Sequence, residues 1–263
     1  MQIKDVIAFL EKIAPPNLQE HYDNAGLITG NSGDEVTGVL VCLDSTEAVI
    51  DEAISRHCNL VIAHHPIIFS GLKQITGSTY IERTIIKAIK NDIAIYAIHT
   101  NLDNMLVSGV NGKIAEKLQL QNIEVLLPKA PNEDKNIGAG VIGDLVSPIA
   151  EKDFLLYLKK EMQTECIRHT AFLNKKIAKV AVCGGSGSFL LSAAKSKGAD
   201  IFITGDFKYH EFFDAENEIL IADIGHFESE QFTIELLFDI ISQNFHTFAT
   251  RFTKVRTNPV LYL

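Results

Sequence analysis

Val39-Leu40-Val41-Cys42-Leu43, the helical run from Thr46 to Arg56, and Leu60-Val61-Ile62-Ala63-His64-His65-Pro66 decide the fold. Two short, continuous apolar runs read as buried strands, and the segment between them has the length of a crossover helix. Proline stops the second strand because it has no N–H to continue a ladder. The unit recurs. Val39, Val41, Cys42, Ala53, Ser55 and Ile62 return as Val180, Val182, Cys183, Ala194, Ser196 and Ile203, always 141 residues later and without a gap. A strand–helix–strand unit present twice predicts two related lobes.

Outward from these units, helix and strand patterns alternate, which is the signature of α/β layering. Residues 2–14 read as a helix ended by Pro15-Pro16, and a turn-rich stretch, Asp23-Asn24-Ala25-Gly26, follows. Further helices are expected at Thr79–Asn91, Asp153–Glu161 and Phe189–Lys197, and a last long one near Glu228–Gln243. Strands are expected at Ile93–Ile98, Lys179–Cys183, Asp200–Thr204 and Glu218–Ala222. Residues 128–138 are polar and carry Pro and Gly, so they read as a hinge. The expected organisation is an N-terminal αβ lobe at 1–127, a connecting segment at 128–138 and a C-terminal αβ lobe at 139–263, the two together countable as one domain. The sheets are expected to be mixed, with a site between the lobes at the C-terminal ends of strands.

The 263 residues are 46% apolar and 22% charged, ordinary for a soluble globular protein. A formal charge of −9 argues against a nucleic-acid surface, which needs clustered Lys and Arg. Arg251, Lys254 and Arg256 read as solvated charges on a strand edge. Cys42, Cys58, Cys166 and Cys183 show no CxxC spacing and read as reduced thiols of a cytosolic protein. The N-terminus interleaves charges at helical spacing, unlike a signal peptide, and no apolar run reaches membrane-spanning length. A soluble cytoplasmic protein is expected.

The chemistry lies in three separated pieces. His64-His65 ends one apolar strand, and Asp103 follows another in Ile98-His99-Thr100-Asn101-Leu102-Asp103. His226 and Glu230 open a helix, four apart and so on one face. Three imidazoles and two carboxylates suffice for two borderline divalent ions, which acidify bound water and polarise substrate oxygens. Strand alternation predicts that the side chains of His64 and His65 diverge and serve different ions. Glu230 suits a bridging role. His99 could orient a ligand as a partner behind it. Asp206, Lys208, Tyr209 and His210 follow a strand, and Asp206 or His210 could move protons. The donor types fit Zn, Fe, Mn or Ni without choosing among them.

Two glycine-rich segments invite other readings. Gly138-Ala139-Gly140-Val141-Ile142-Gly143 matches GxGxxG but follows a polar break, so it reads as a turn into an edge strand. Gly184-Gly185-Ser186-Gly187-Ser188 lies between strand and helix, where backbone N–H groups of Gly185 to Ser188 could hold an anionic or nucleotide substrate; a tight turn explains it equally. It lacks the lysine of a P-loop.

With these residues on the page, the chain resembles the metal-binding family named after the third yeast NGG-interacting factor. Many of its members carry the description GTP cyclohydrolase type 2 homologue. The resemblance rests on Asp23-Asn24-Ala25-Gly26-Leu27, Val41-Cys42-Leu43-Asp44, His64-His65-Pro66, His99-Thr100-Asn101-Leu102-Asp103, Cys183-Gly184-Gly185-Ser186-Gly187, Thr204-Gly205-Asp206 and Gly225-His226-Phe227 with Ser229-Glu230, in order along nearly the whole chain. It implies a ring-like homohexamer with a dinuclear site in each subunit. His65 and Asp103 would ligate one ion, His64 and His226 the other, and Glu230 would bridge. Two functions compete on these grounds. One is a dinuclear metal-dependent hydrolase acting on a nucleotide or phosphoester, GTP cyclohydrolysis among the options. The other is a non-catalytic ring that binds or delivers metal or docks a partner. A role as a transcription-factor partner finds no basic or disordered tail to support it.

Overall fold

A computed structural model describes residues 1–129 and 134–263. In chain order the elements begin with helix α1 (Ile3–Ile13), strands β1 (Gly26–Thr29) and β2 (Gly38–Cys42), helix α2 (Glu47–Ser55) and strand β3 (Leu60–Ala63). Helix α3 (Tyr80–Lys90), strand β4 (Ala94–Ala97) and helices α4 (Thr100–Asp103) and α5 (Val110–Lys117) follow. Next come strands β5 (Gln121–Pro128) and β6 (Gly138–Ala150), helix α6 (Glu151–Glu161), strands β7 (Arg168–His169) and β8 (Lys176–Ser186) and helix α7 (Leu191–Ser196). Strands β9 (Ile201–Gly205) and β10 (Leu220–Asp223), helices α8 (His226–Glu230) and α9 (Thr233–Asn244) and strand β11 (Ala249–Phe252) complete the chain.

The chain forms two compact units, one of Met1–Leu102 with Thr233–Pro259, the other of Asp103–Phe232 with Val260–Leu263. In the first, five strands run in the order β1-β4-β3-β2-β11; in the second, six run β5-β6-β8-β9-β10-β7. Each sheet is built on three parallel strands, β2-β3-β4 or β8-β9-β10, with an antiparallel strand on the last of them, β1 or β7. They differ at the other flank, where β11 is parallel to β2 but β6 is antiparallel to β8.

The sequence echo is a structural repeat. Val39 pairs with Leu60 in the first unit and Val180 with Ile201 in the second, so register is kept at the 141-residue offset. The cores correspond as well. Leu40, Cys42, Val49, Ile50, Ala53, Cys58 and Val61 cluster in one unit; Ala181, Cys183, Leu190, Leu191, Ala194, Ala199 and Phe202 cluster in the other. Small-for-large and large-for-small exchanges (Leu40 against Ala181, Val61 against Phe202) offset one another, which keeps core volume filled. Polar details repeat too. Asn59 Oδ1 accepts from Thr37 N at 2.8 Å, and Asp200 Oδ2 accepts from Ala178 N at 2.8 Å. The helix exits at His57 and Gly198 are both left-handed, with φ of 57° and 72°. Helix α2 starts where Thr46 accepts from Val49 N, and α3 where Thr79 accepts from Glu82 N, satisfying N–H groups that lack helical partners.

Three expectations are corrected. Residues 128–138 do not separate the units: β5 and β6 are paired neighbours, and Pro128 and Gly138, opposite each other in that pair, both belong to the second unit. Positions 130–133 lie outside the described residues. Gly138–Gly143 is not a turn into an edge strand but part of β6, which lies between β5 and β8. The long helix near Glu228–Gln243 is two helices, α8 and α9. The break is physical, because α8 packs on β8 and β9 of the second unit whereas α9 packs on β2 and β11 of the first. Arg251 lies on β11, an edge strand, as its charge suggested. Among the described residues no helix is long and apolar enough to cross a membrane.

Candidate metal centre

In the first unit the ladder of parallel strands runs one step past their ends. His64 N donates to Cys42 O, His65 N to Leu43 O and Ile98 N to Ala63 O. This fixes the backbone of the His64-His65 pair at the carboxyl edge of the sheet, the usual place for ligands in parallel α/β layers. The rings do not diverge as alternation predicted. Their centroids are 4.8 Å apart. Strand geometry ends at Ala63, and with it the rule that successive side chains point to opposite faces.

Every ring at this edge is held by its Nδ1. His64 Nδ1 donates to Ile98 O at 2.9 Å, His65 Nδ1 to Asp44 Oδ1 at 2.8 Å and His99 Nδ1 to Asp23 Oδ1 at 2.8 Å. A carbonyl or an ionised carboxylate can only accept, so the proton sits on Nδ1 and Nε2 is the nitrogen presented to a ligand. Asp44 is itself fixed by the Thr257 hydroxyl, and Asp23 by the Thr100 hydroxyl and N–H. Burial works against the Asp23 charge, yet bonds from His99 and Thr100 outweigh it and hold the carboxyl at about 2. One nitrogen from each of His64, His65 and His99 lies within 4.8 Å of the others, so these three could hold a metal ion.

The second unit gathers donors of its own. Gly225, at φ 91°, turns the chain into α8, whose first residue is His226. His226 Nδ1 donates to Asp206 Oδ2 at 2.7 Å, and Nε2 stands 3.1 Å from Glu230 Oε2, as the four-residue spacing predicted. Glu230 is buried, and the irregular end of β8 is shaped around it, in place of the tight turn that the glycines suggested: a Cβ on Gly185 would stand 2.3 Å from Glu230 Oε1. Carboxylate oxygens of Asp103 and Glu230 come within 4.8 Å of each other. Asn111 ties this side together, accepting from Gly184 N and donating to Asp103 O. The surroundings demand positive charge. Burial disfavours charge on His226, but its bonds to Asp206 and Glu230 prevail and raise it to about 11. Burial, with Asp103 and Glu230 nearby, pushes the Cys183 thiol far up, so it stays protonated.

Other expected residues fare differently. Gly184, Gly185 and Gly187 spend their N–H groups on Asn111, Ser229 and Thr204, so Gly185 and Gly187 have none to give an anion. Of that substrate set, Ser186 and Ser188 remain. Asp206 is engaged as the partner that orients His226. His210 is exposed on a 3-10 helix, its ring against Tyr209 and Phe213, and joins no donor cluster found among the described residues. Sequence reasoning assigned no role to Asp23, Asp44, Asn111 or Ser229. Asp44 could have been found, since it follows β2 at the same sheet edge as His65; Asp23, far from any strand end, gave no such signal.

The Duf34/NIF3 (NGG1p interacting factor 3) family model matches residues 1–259. A Clostridium perfringens protein described as GTP cyclohydrolase 1 type 2 homolog is 38% identical, over 88% of this chain and 87% of its own. A Clostridium acetobutylicum protein of the same description is 36% identical, over 88% and 85%. The crystal structure of a Bacillus cereus protein related to NIF3 superposes with a TM-score of 0.91 at 27% identity, over 100% of this chain and 99% of that one. The two-sheet architecture, the ordered motifs and these likenesses agree, and the chain belongs to the Duf34/NIF3 family.

Proposed function

We propose that the protein is a dinuclear metal-dependent hydrolase of nucleotides or phosphoester-like compounds, its two divalent ions held by His64, His65, Asp103, His226 and Glu230, with Glu230 the bridge. One observation carries this reading: all these imidazoles are pinned at Nδ1 by an oxygen acceptor, the arrangement that readies Nε2 for a metal. Imidazole and carboxylate donors together fit Zn, Fe, Mn or Ni. A pair of such ions supplies positive charge to a developing oxyanion and acidifies water.

The chain's own residues do the rest. Asp44 holds His65 in the ligating tautomer, and Asp206 orients the His226 ring so that its Nε2 faces Glu230. Gly185 leaves room for the Glu230 carboxylate where a Cβ would stand 2.3 Å from Oε1. Ser186 and Ser188 are the candidates for contact with an anionic substrate, and His210 for proton transfer. GTP is included among the substrates to try because the Clostridium relatives carry the description GTP cyclohydrolase 1 type 2 homolog. The subunits are proposed to assemble as a homohexamer.

The test is a panel of nucleotides and phosphoesters offered to protein reconstituted with Mn²⁺, Fe²⁺ or Zn²⁺. Product release that disappears in His65→Ala supports the hydrolase. Exchangeable metal with no turnover across the panel turns the assignment to metal binding or delivery. Glu230→Ala tests the bridge, because loss of both ions together is expected and unchanged metal content defeats it.

A further inference from the structure

We infer that the second unit holds a separate site for a small aromatic anion, its ring taken up by Tyr209, Phe212 and Phe213 and its carboxylate or phosphate by Arg168. A cavity of about 570 Å³ is lined by β7 and by the 3-10 helix Tyr209–Ala215, within the size range of small-molecule sites. None of His64, His65, Asp103, His226 and Glu230 lines it, so the site goes beyond the metal reading and does not depend on it. Strand pairing builds its polar end. Arg168 stands opposite Asp223 across the antiparallel β7–β10 pair, and its Nη2 donates to the Asp223 carboxylate and to Phe207 O. Asp223 is buried and also accepts from Phe207 N and Gly225 N, so its charge already has three donors.

A guanidinium carries five N–H donors, and these two bonds use the pair on Nη2. The donors on Nε and Nη1 meet no acceptor among the described residues, and the side chain is more than half exposed. The fork is nevertheless held in place. The Phe212 ring centre lies 5.4 Å from Arg168 Cζ, and Phe212 packs in turn on the core residue Phe207. Beside it Tyr209 and Phe213 stand exposed, edge to face with centroids 5.7 Å apart, and offer the apolar area that a planar ligand covers. Charge selects the sign of that ligand. Glu216 is the one carboxylate lining the cavity, and Lys195 Nζ holds it at 2.6 Å, so a cation finds no unspent partner where an anion finds a guanidinium. His169 Nδ1 donates to Thr170 O, which leaves Nε2 for a polar substituent on the ring. The lip bends through Glu216 and Asn217, both left-handed at φ of 51° and 58°, a strain that clusters at ligand clamps.

Isothermal titration of the chelated full chain with 2-aminobenzoate and with guanosine 5′-monophosphate tests the two sources of this chemistry, an aromatic acid and a nucleotide. Saturable binding of at least one is expected, and the one that binds names the source. Its neutral counterpart, 2-aminobenzamide or guanosine, should bind at least about 10-fold more weakly. Arg168→Lys keeps a cation opposite Asp223 but gives up the planar fork, and should weaken binding about 10- to 100-fold. Phe213→Ala removes an exposed ring and should weaken it about 3- to 10-fold, which keeps the test in force if circular dichroism shows Arg168→Lys misfolded. No saturable binding of either probe overturns the site. Binding that ignores the substitutions, or a neutral analogue that binds as tightly as the anion, overturns it as well. If neither probe binds and Phe213→Ala changes the assembled mass, the cavity belongs to a neighbouring subunit instead. Failure here leaves the metal reading intact, because both probes are offered without metal.

Discussion

Gly185→Ala isolates the fit between the end of β8 and the buried Glu230 carboxylate. Gly185 has a φ of 65°, and a methyl there would lie 2.3 Å from Glu230 Oε1 and 3.4 Å from His226 Cε1. The left-handed backbone alone costs an L-residue about 1–2 kcal/mol. The contact cannot persist, so the Glu230 carboxylate must swing away from His226, and a lost hydrogen bond to a charged group costs about 1.5–3 kcal/mol more. Gly198→Ala supplies the control. Its φ is 72° and nothing lies within 4 Å of the added carbon, so it reports backbone strain by itself.

Urea unfolding of chelated protein, followed by far-UV circular dichroism because the chain has no Trp, measures both variants. An unchanged m-value licenses reading the midpoint shifts as stability. Gly198→Ala should lose about 1 kcal/mol and Gly185→Ala about 3–4 kcal/mol. Reconstituted Gly185→Ala should also bind less metal than the parent, whereas Gly198→Ala binds the same. Equal losses in the two variants, with metal content kept in both, refute the argument that the end of β8 is moulded around Glu230.

Thr204 Oγ1 donates to Gly185 O and accepts from Gly187 N, both at 2.9 Å and buried, so Thr204→Val should destabilise by about 1–3 kcal/mol for each orphaned backbone group; a shift under 1 kcal/mol in urea contradicts it. Because His226 is held protonated up to about 11, a cation taking its Nε2 must displace a proton, and apparent Zn²⁺ affinity should climb by up to about tenfold per pH unit between roughly pH 7 and 9. Isothermal titration in two buffers of different ionisation enthalpy counts the protons released, and a count of zero refutes it. In the chelated protein the same raised group stabilises fully below its unfolded value near 6.5, and that contribution fades as pH rises through about 11. Light scattering should return six times the 29.0 kDa of one chain, and any other stable mass removes the hexamer.

What was legible in the sequence follows from the range of each interaction. Strand β4 matches the sequence reading to within one residue at each end, and α2 and α3 match to within their caps, because apolar runs and Thr46 and Thr79 are local signals. The repeat was legible because register and core positions keep one offset. The division into units was not. It depends on α9 and β11, 130 residues and more beyond the rest of the first unit, returning to pack on β2, and no local pattern encodes such a return. Strand β6 was read as an edge because its glycines resemble a turn, whereas they lie in an interior strand with neighbours on both sides.

The donor residues stood out because metal ligands are chemically distinctive and fall at element ends. Their supports did not, since a carboxylate that orients an imidazole is chosen by distance alone. Asp23 is 76 residues from His99, and Asp206 is 20 from His226. The misreading of His64 and His65 has the same root. Alternation is a property of regular strand backbone, and both residues lie just beyond it, where hydrogen bonds to Cys42 and Leu43 direct the chain instead. Chemistry in this fold is concentrated where regular geometry stops, so the residues most readily identified by type are those whose orientation local periodicity describes least well. Orientation there is set by partners such as Asp23 and Asp44, which is why substituting these carboxylates tests the metal reading more sharply than removing another ligand.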